Sequence, residues 1–495
     1  MSSFKSFTTM FMSKKRYCPN SHKLIGAIAI ASSMFCSFAH ADSASYSYDY
    51  DEFGNVKYKS TSHGGYGYYL TYDVLGRAKS KLLIWDDIPV NYEYNGQNQL
   101  IRVAEGTDSF GLRGTYTYDG LGNQLSATLP ETGTSTFSYD IAGNLLSKTD
   151  AKGQVTNYSY DALNRLKRIS YSDGNAINYT YDQGANAKGR VSQISDQNGS
   201  IQYTYDVYGR ILSDTRSVAV NSSTVTGTIL YQYDSAGRLS SQTYPNGRRV
   251  SYTRDALGHI SQIDTSKDGV TNTVLSQVAY RPFEGMQSYR NSAGQTYTRN
   301  FDTSGRVVNF TLNNQVQAIN YNPAGQIVGI GEIGNAARQA TFGYDQFNQL
   351  ISYVTPQTTQ NFTNMLKGEY IYKDVDGVRT TYNSGVKRQL TQVAGSKTSN
   401  IISDANGSIT DNSDAQFSYD ARGRMNSVTN SAGVVQYVVN ALGQRAQKTV
   451  LDKSANVLSR TTYYYDKNGK LINERTGAFD VDYIYLENTP VAVIK

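Results

Sequence analysis

Aspartate and arginine recur together along the chain, and such a pair invites an acid–base interpretation. Residues 233–239 read Tyr-Asp-Ser-Ala-Gly-Arg-Leu, which places a carboxylate and a guanidinium four residues apart. A catalytic pair occurs once or twice in a chain, whereas this pair returns at a fixed offset in many units. We therefore interpret it as turn capping with an ion pair across a hairpin, and we predict no catalytic residue and no enzyme activity.

Histidine and cysteine give equally little support for catalysis or metal binding. Cys18 and Cys36 are the only two cysteines, and His63 and His259 are the only histidines after residue 41. Two distant histidines do not favour a zinc site or a histidine-based nucleophile relay. If residues 1–41 are removed on export, the mature protein has no disulfide.

Three short motifs resemble ligand loops by their letters alone. Residues 404–407 and 466–469 resemble calcium loops but lack the downstream bidentate glutamate. Residues 329–334 match a dinucleotide fingerprint without the strand–helix–strand context that such a loop requires. We predict no metal and no cofactor.

Composition limits both the core and the partners. Hydrophobic residues make up 39% of the 495, with 42 tyrosines and 43 glycines, which suits neither a disordered chain nor several thick cores. Of the 47 basic residues, five precede residue 42 and no acidic residue does, so that residues 42–495 carry 42 basic and 41 acidic side chains. We expect no nucleic-acid partner.

The first 41 residues have the pattern of a secretory signal. Lys14, Lys15 and Arg16 precede the apolar stretch 24–31, and residues 39–41 read Ala-His-Ala, as a signal peptidase requires. We predict cleavage after Ala41, no transmembrane span afterwards, and a secreted or cell-surface protein. An uncleaved anchor and lipidation at Cys36 are the alternatives.

One repeated unit, of roughly 20 residues, then fills the chain. Each unit has a Tyr-Thr-Tyr-like stretch, then Asp, two variable residues, Gly, and Arg or Asn before an aliphatic residue. Alternation predicts strands with the rings on one face and the hydroxyls on the other. Asp accepts backbone N–H groups in the turn, and Gly, replaced by Asn164 and Asn348 in two units, supplies a positive φ. We predict structural turn roles for Tyr118, Asp119, Gly122, Tyr139, Asp140, Gly143, Tyr205, Asp206, Gly209, Arg210, Tyr233, Asp234, Gly237, Arg238, Tyr419, Asp420, Gly423 and Arg424.

This unit resembles the YD repeat of the RHS (rearrangement hot spot) family over about residues 46–486. The resemblance implies an all-β fold in which antiparallel hairpins wind into a curved hollow shell, either closed or incomplete. Members of the family use such shells to enclose a C-terminal toxin, and related YD shells occur in teneurins. No Asp-Pro step is present, so the self-cleaving motif of the family has no counterpart, and no toxin is carried over from the resemblance.

The predicted organisation has four parts: a signal peptide at 1–41, regular repeats at 42–270, degenerate repeats at 271–370, and C-terminal repeats at 371–495. The expected function is a secreted structural shell without its own effector. Its expected partner is a second RHS-type chain or a separately encoded toxin. A surface adhesin whose tyrosines stack on cell-wall glycans is the alternative, although Trp85 is the single tryptophan. The apolar stretch 491–494 is expected to pair with residues 483–486 and to leave an edge that self-associates or binds a shell-like chain.

Overall fold

The structure is a computed structural model that describes residues 46–495 except 62–66, 84–88, 107–110, 221–222, 283–284, 346–347, 365–369 and 386–387. The predicted signal peptide, with Cys18 and Cys36, lies outside the described residues, as do His63 and Trp85. Apart from the 3-10 turn Ala336–Arg338 and a 3-10 position at Gly111, the described residues form strands, turns and irregular segments. In the described part of the chain no helix has the length and apolar character needed to cross a membrane.

The all-β prediction is confirmed. The first group of strands comprises β1 Tyr46–Tyr50, β2 Val56–Thr61, β3 Gly67–Tyr72, β4 Ala78–Leu83, β5 Val90–Tyr94, β6 Leu100–Glu105, β7 Leu112–Tyr118, β8 Gln124–Leu129, β9 Gly133–Tyr139, β10 Leu145–Thr149, β11 Val155–Tyr160, β12 Leu166–Tyr171, β13 Ala176–Tyr181, β14 Val191–Asp196 and β15 Gly199–Tyr205. The next are β16 Ile211–Val220, β17 Ser223–Tyr233, β18 Leu239–Thr243, β19 Arg249–Arg254, β20 Ile260–Lys267, β21 Val270–Tyr280, β22 Met286–Asn291, β23 Thr296–Phe301, β24 Val307–Leu312, β25 Gln315–Tyr321, β26 Ile327–Glu332, β27 Gln339–Tyr344, β28 Leu350–Val354, β29 Thr359–Asn364 and β30 Tyr370–Val375. The last are β31 Val378–Ser384, β32 Leu390–Ala394, β33 Thr398–Asn400, β34 Ile402–Ser403, β35 Ile409–Asp411, β36 Ala415–Tyr419, β37 Met425–Asn430, β38 Gly433–Val439, β39 Arg445–Leu451, β40 Val457–Tyr465, β41 Leu471–Thr476, β42 Phe479–Leu486 and β43 Thr489–Ile494.

Each strand pairs antiparallel with its neighbours in the sequence. Strands β1–β33 form one 33-stranded sheet and β34–β43 a second, 10-stranded sheet. The segment 271–370, predicted to be degenerate, continues the first sheet as hairpins, with an irregular register in β21 where Gln277 has φ +53°. At the other end, β43 pairs with β42 through Tyr483–Val493 and Ile484–Ala492, which confirms the expected pairing.

The turns at the two ends of the strands form two rims, and the turns differ between them. We call these rims edges, and the term does not refer to the outermost strand of a sheet. Because consecutive strands are antiparallel, the turns after odd-numbered strands of the larger sheet lie along one edge and the turns after even-numbered strands along the other. The first edge carries most of the Asp-x-x-Gly turns and their Asn variants, and we call it the YD edge; in the smaller sheet it carries 404–407, 420–423, 440–443 and 466–469. The opposite edge, with turns such as 130–133, 150–153 and 196–199, we call the return edge.

The two faces of the wall also differ. On β9, Ser135, Phe137 and Tyr139 are half-buried, while Thr136 and Ser138 between them are exposed. The exposed hydroxyls pair between strands, as Ser138 and Ser147 do at 2.6 Å. Rings therefore lie on one face and hydroxyls on the other, as a two-residue period requires.

The most buried side chains lie where the C-terminal sheet packs on the middle of the larger sheet. Ile229, Val250, Ile263 and Leu275 form one core cluster with residues of the smaller sheet, of which Tyr464, Ile472, Ile484 and Leu486 are buried. These residues stand more than 180 positions apart in the sequence. The chain therefore returns onto its own earlier strands, and this contact supplies the thickest apolar packing in the described residues.

Candidate functional site

The Asp-x-x-Gly turn is built by one carboxylate. Oδ1 of Asp119 accepts the backbone N–H groups of Leu121 at 2.9 Å and Asn123 at 2.8 Å, and Oδ2 accepts the amide of Asn123 at 2.9 Å. The Gly122 N–H donates to the Asp119 carbonyl at 3.2 Å. The side-chain amide of Asn123, assisted by the backbone N–H groups, holds the pKa of Asp119 below its usual value. The turn is therefore closed by hydrogen bonds to the ionised carboxylate.

The other predicted turns have the same geometry. Their carboxylates all accept the backbone N–H four residues on: Asp140 from Asn144, Asp206 from Arg210, Asp234 from Arg238 and Asp420 from Arg424. Their glycines are all in the left-handed region: Gly122 at +91°, Gly143 at +81°, Gly209 at +78°, Gly237 at +80° and Gly423 at +74°. Asn164 at +58° and Asn348 at +57° adopt the same region in their own turns.

The arginine after the glycine does not always make the expected ion pair. Nε of Arg238 donates to Asp234 at 2.8 Å, and Arg210 pairs with Asp206 in the same way. Arg424 differs, because its guanidinium donates to the Gly443 carbonyl at 3.3 Å while Asp420 pairs with Arg422 at 2.8 Å. At this turn Arg424 thus contributes its backbone N–H to Asp420, while Arg422 makes the ion pair.

The repeat tyrosines have a role that the sequence reasoning missed. The hydroxyl of Tyr139 donates to the Gln124 carbonyl at 3.0 Å, which ties one hairpin to the first residue of the preceding return strand. The same bond recurs for Tyr72, Tyr94, Tyr118, Tyr160, Tyr181, Tyr205, Tyr233, Tyr280, Tyr321, Tyr344, Tyr419, Tyr465 and Tyr485. The constant position of this tyrosine at the end of a strand, in most units immediately before Asp, was the signal available in the sequence.

A second feature is a polar seam between strands far apart in the sequence. Along it, the return edge around 105–198 contacts the YD edge around 388–439. The buried Asp196 accepts Arg422 Nη1 at 3.1 Å, and Glu105 accepts both Arg113 and Arg388 at 3.0 Å. Lys152 pairs with Asp404 at 3.1 Å, although 252 residues separate them. The seam is thus held by charges from both sides.

The seam continues into a buried network beneath the C-terminal sheet. Arg216 is paired with Asp214 at 2.8 Å and donates to Gln444 at 2.7 Å. Burial raises the pKa of Asp214 despite this pairing, and burial likewise raises the pKa of Asp196. Each of these carboxylates depends on its arginine to remain charged inside the protein.

A recess of 660 Å³ opens beside the seam. The larger sheet contributes the rings of Phe137, Tyr158, Tyr171 and Tyr179, and the turn 422–424 closes the recess from the other side. Burial raises the pKa of all three tyrosines. The recess therefore presents aromatic surface and neutral phenol groups under an arginine-bearing turn.

The ligand-like motifs and the histidine lie in ordinary turns and strands of the described residues. Among them, no group of three or more His, Cys, Asp or Glu side chains is placed to hold a metal ion. His259 lies 3.5 Å from Asp255 in its own turn and stacks on Tyr280. Residues 329–331 lie within β26, so the letters of the dinucleotide pattern belong to a strand.

Comparisons with known proteins agree with this geometry. The RHS repeat family model matches residues 94–134, 122–155, 139–176 and 233–271. No curated protein matches the sequence at a significant level. Among solved structures, a Photorhabdus luminescens Tc holotoxin pore matches with TM-score 0.69 and 14% identity, and a crystal structure of TcdB2-TccC3-Cdc42 with TM-score 0.68 and 14% identity. Both matches cover 90% of this chain but 28% of the matched chain. The four matched segments therefore contain RHS repeats, and the chain has the fold of these Tc toxin chains over 90% of its length.

Proposed function

We propose that this chain is a structural wall of an RHS-type shell that surrounds a toxin or effector supplied as a separate polypeptide. The observation that carries the proposal is the seam, which joins early and late strands and so makes a continuous wall from a single layer of hairpins. The half-buried aromatic face and the recess offer an unfolded chain apolar surface with hydrogen-bonding phenol groups. The proposed role is mechanical, and it needs no catalytic residue.

The exposure of the tyrosines favours the shell over the adhesin. An adhesin that stacks on glycans would present rows of rings to solvent. Among tyrosines with described side chains, Tyr48, Tyr50, Tyr69 and Tyr208 are exposed. Most of the repeat tyrosines instead donate a hydrogen bond from their hydroxyl to a backbone carbonyl of the neighbouring hairpin. A glycan panel should therefore give no saturable binding that is lost on Tyr-to-Ala changes in one repeat.

Enclosure can be tested with a defined cargo. An unstructured, trypsin-sensitive polypeptide is joined to the C-terminus by a flexible linker, and the same polypeptide is joined to an unrelated folded domain as the control. We expect the tail on this chain to be cleaved more slowly, and we expect the protection to fall in an Arg216→Ala, Arg422→Ala variant. Equal cleavage of the tail on the two carriers would contradict the proposal.

We also propose that the protein is exported and processed after Ala41, from the pattern of residues 14–41. N-terminal sequencing of the protein recovered outside the cytoplasm should begin at Asp42. Retention of residues 1–41 on the exported protein would contradict this cleavage site.

A further inference from the structure

The YD edge of the first strands carries a row of exposed apolar side chains. They lie at the variable positions between Asp and Gly, and their exposed fractions run from 65% for Leu75 to 102% for Val74. We call each Asp-x-x-Gly turn of this edge, or its Asn variant, a tip, and successive tips are separated by two strand spacings, or about 10 Å. The row comprises Phe53, Val74, Leu75, Leu121, Ile141, Leu163, Val207, Tyr208 and Leu257.

The corresponding tips that are already covered have a different chemistry. Where the seam buries the YD edge, the two variable positions hold Ala405 and Asn406, or Ala421 and Arg422. Asn406 donates to Asp150 at 2.7 Å, and Arg422 pairs with Asp196. The covered tips at 405–406 and 421–422 are thus small or polar, whereas seven of the solvent-facing tips carry large apolar side chains. Other solvent-facing tips, such as those at 235–236 and 303–304, are small or polar.

The return edge shows the same contrast. In the part that meets the seam, the turns 130–133, 150–153 and 196–199 contain no exposed large apolar residue. From β20 onward, most of the described return turns of the larger sheet are flanked by exposed large apolar residues, namely Val270, Leu312, Val316, Ile333, Val354 and Val378. Each molecule therefore has one free apolar YD edge and one free apolar return edge.

We propose that a second copy of this chain stacks head to tail on the first, with its free return edge on the free YD edge. The seam shows that a YD edge and a return edge of this wall are able to meet, and a second copy carries the complementary apolar row. Burying one large apolar side chain removes roughly 60–120 Å² of apolar surface, so that the nine side chains, which lie on seven turns, supply roughly 500–1,100 Å². A standard interface buries about 800 Å² per partner. Because the two contacting edges differ, the contact is heterologous and continues into chains of copies.

The test is sedimentation velocity on the purified full chain as its concentration is raised. The first variant, Leu75→Ser, Leu121→Ser, Leu163→Ser, Leu257→Ser, removes apolar tips from the YD edge. The second, Val270→Ser, Ile333→Ser, Val378→Ser, changes the return edge. The control, Leu146→Ser, Leu212→Ser, Leu230→Ser, changes exposed leucines on strands.

We expect the wild type and the control to form species larger than a dimer, and each edge variant alone to stay monomeric. A mixture of the two edge variants should form a dimer that does not grow, since one intact edge of each kind remains. A monomeric wild type would overturn the proposal, and so would a monomeric mixture. A wild type that stays monomeric in solution but floats with phosphatidylcholine vesicles would assign the apolar tips to a lipid surface instead.

Discussion

Replacing Arg422 with alanine should open the seam. Arg422 lies in a YD-edge turn, and its side chain is 9% exposed while that of its partner Asp196 is 2% exposed. Its guanidinium donates to Asp196 at 3.1 Å, to Asp420 at 2.8 Å and to the Val439 carbonyl at 3.1 Å. The substitution therefore removes three bonds and leaves one buried carboxylate without its arginine.

Breaking a buried ion pair from one side costs about 3–5 kcal/mol, because the remaining charge stays desolvated. The pKa of Asp196 is already raised by burial, and the loss of Arg422 should raise it further. A raised folded-state pKa means that the folded state binds the proton more tightly than the unfolded state. The destabilisation by Arg422→Ala should therefore be largest at pH values above the folded-state pKa of Asp196, and it should decrease as the pH falls through that pKa.

The assay must be local, because stability in a repeat array is a sum over neighbouring units. Hydrogen exchange of residues 196–200 and 436–444, followed with urea titrations, reports opening of the seam. Asp196→Asn should recover much of the loss in the Arg422→Ala background. Arg424→Ala is the matched control, since its guanidinium makes one long bond to a backbone carbonyl, and it should change stability by about 0.5 kcal/mol or less. Equal effects of Arg422→Ala and Arg424→Ala on seam exchange would refute the reasoning.

Three further predictions concern the repeat turns. Gly143→Val should cost about 1–3 kcal/mol of stability, because a β-branched residue resists positive φ, whereas Gly143→Asn should cost much less. A steric clash is not the cause, since an added Cβ would meet its nearest atom only at 3.7 Å. Equal thermal midpoints for the two variants would contradict a conformational cause. Tyr139→Phe should cost about 0.5–1.5 kcal/mol through the lost bond to Gln124, while Tyr158→Phe, which loses a hydroxyl facing the recess, should be nearly neutral in the same urea titration. The Asn144 amide and backbone N–H groups lower the pKa of Asp140 in the folded state. The ionised carboxylate therefore stabilises the fold at pH values above its ordinary pKa of 3.8, and this stabilisation is lost as the pH falls through the folded-state pKa. Asp140→Asn should flatten part of the acid-induced loss of stability, and an unchanged acid profile would count against the capping role.

The hairpin array was predictable because its causes are local. Alternation sets the strand faces, and the positive φ of the turn selects Gly or Asn within a few residues of Asp. The tyrosine–carbonyl bonds were not predicted, although the tyrosine position is constant, because their acceptor is a backbone atom of the preceding hairpin. Arg254, which replaces the tyrosine in one unit, donates to the equivalent Leu239 carbonyl at 3.1 Å, so the position requires a donor rather than a ring.

The seam was not predictable from one sequence, because its partners lie 226 residues or more apart and use the same residue types as the local turns. A signal was nevertheless present. Arg422 occupies the variable position immediately before the turn glycine, where most earlier repeats have an apolar or small residue. Asn406 occupies the same position one repeat earlier. At the seam this position holds Asn406 and Arg422, whereas Leu121 stands there on a solvent-facing tip. The residue type alone does not identify a covered tip, because the exposed turn 95–98 has Gln97 at this position.

The central claim, that the wall returns onto itself through the seam, is tested most directly by zero-length carbodiimide cross-linking with mass spectrometry. Lys152 and Asp404 are 3.1 Å apart in space, and the neighbouring pair Lys397 and Asp414 provides a local control of similar chemistry. The account predicts that both links form within one molecule and that the Lys152–Asp404 link is weakened by Arg422→Ala. Recovery of the Lys397–Asp414 link without any Lys152–Asp404 link would contradict it.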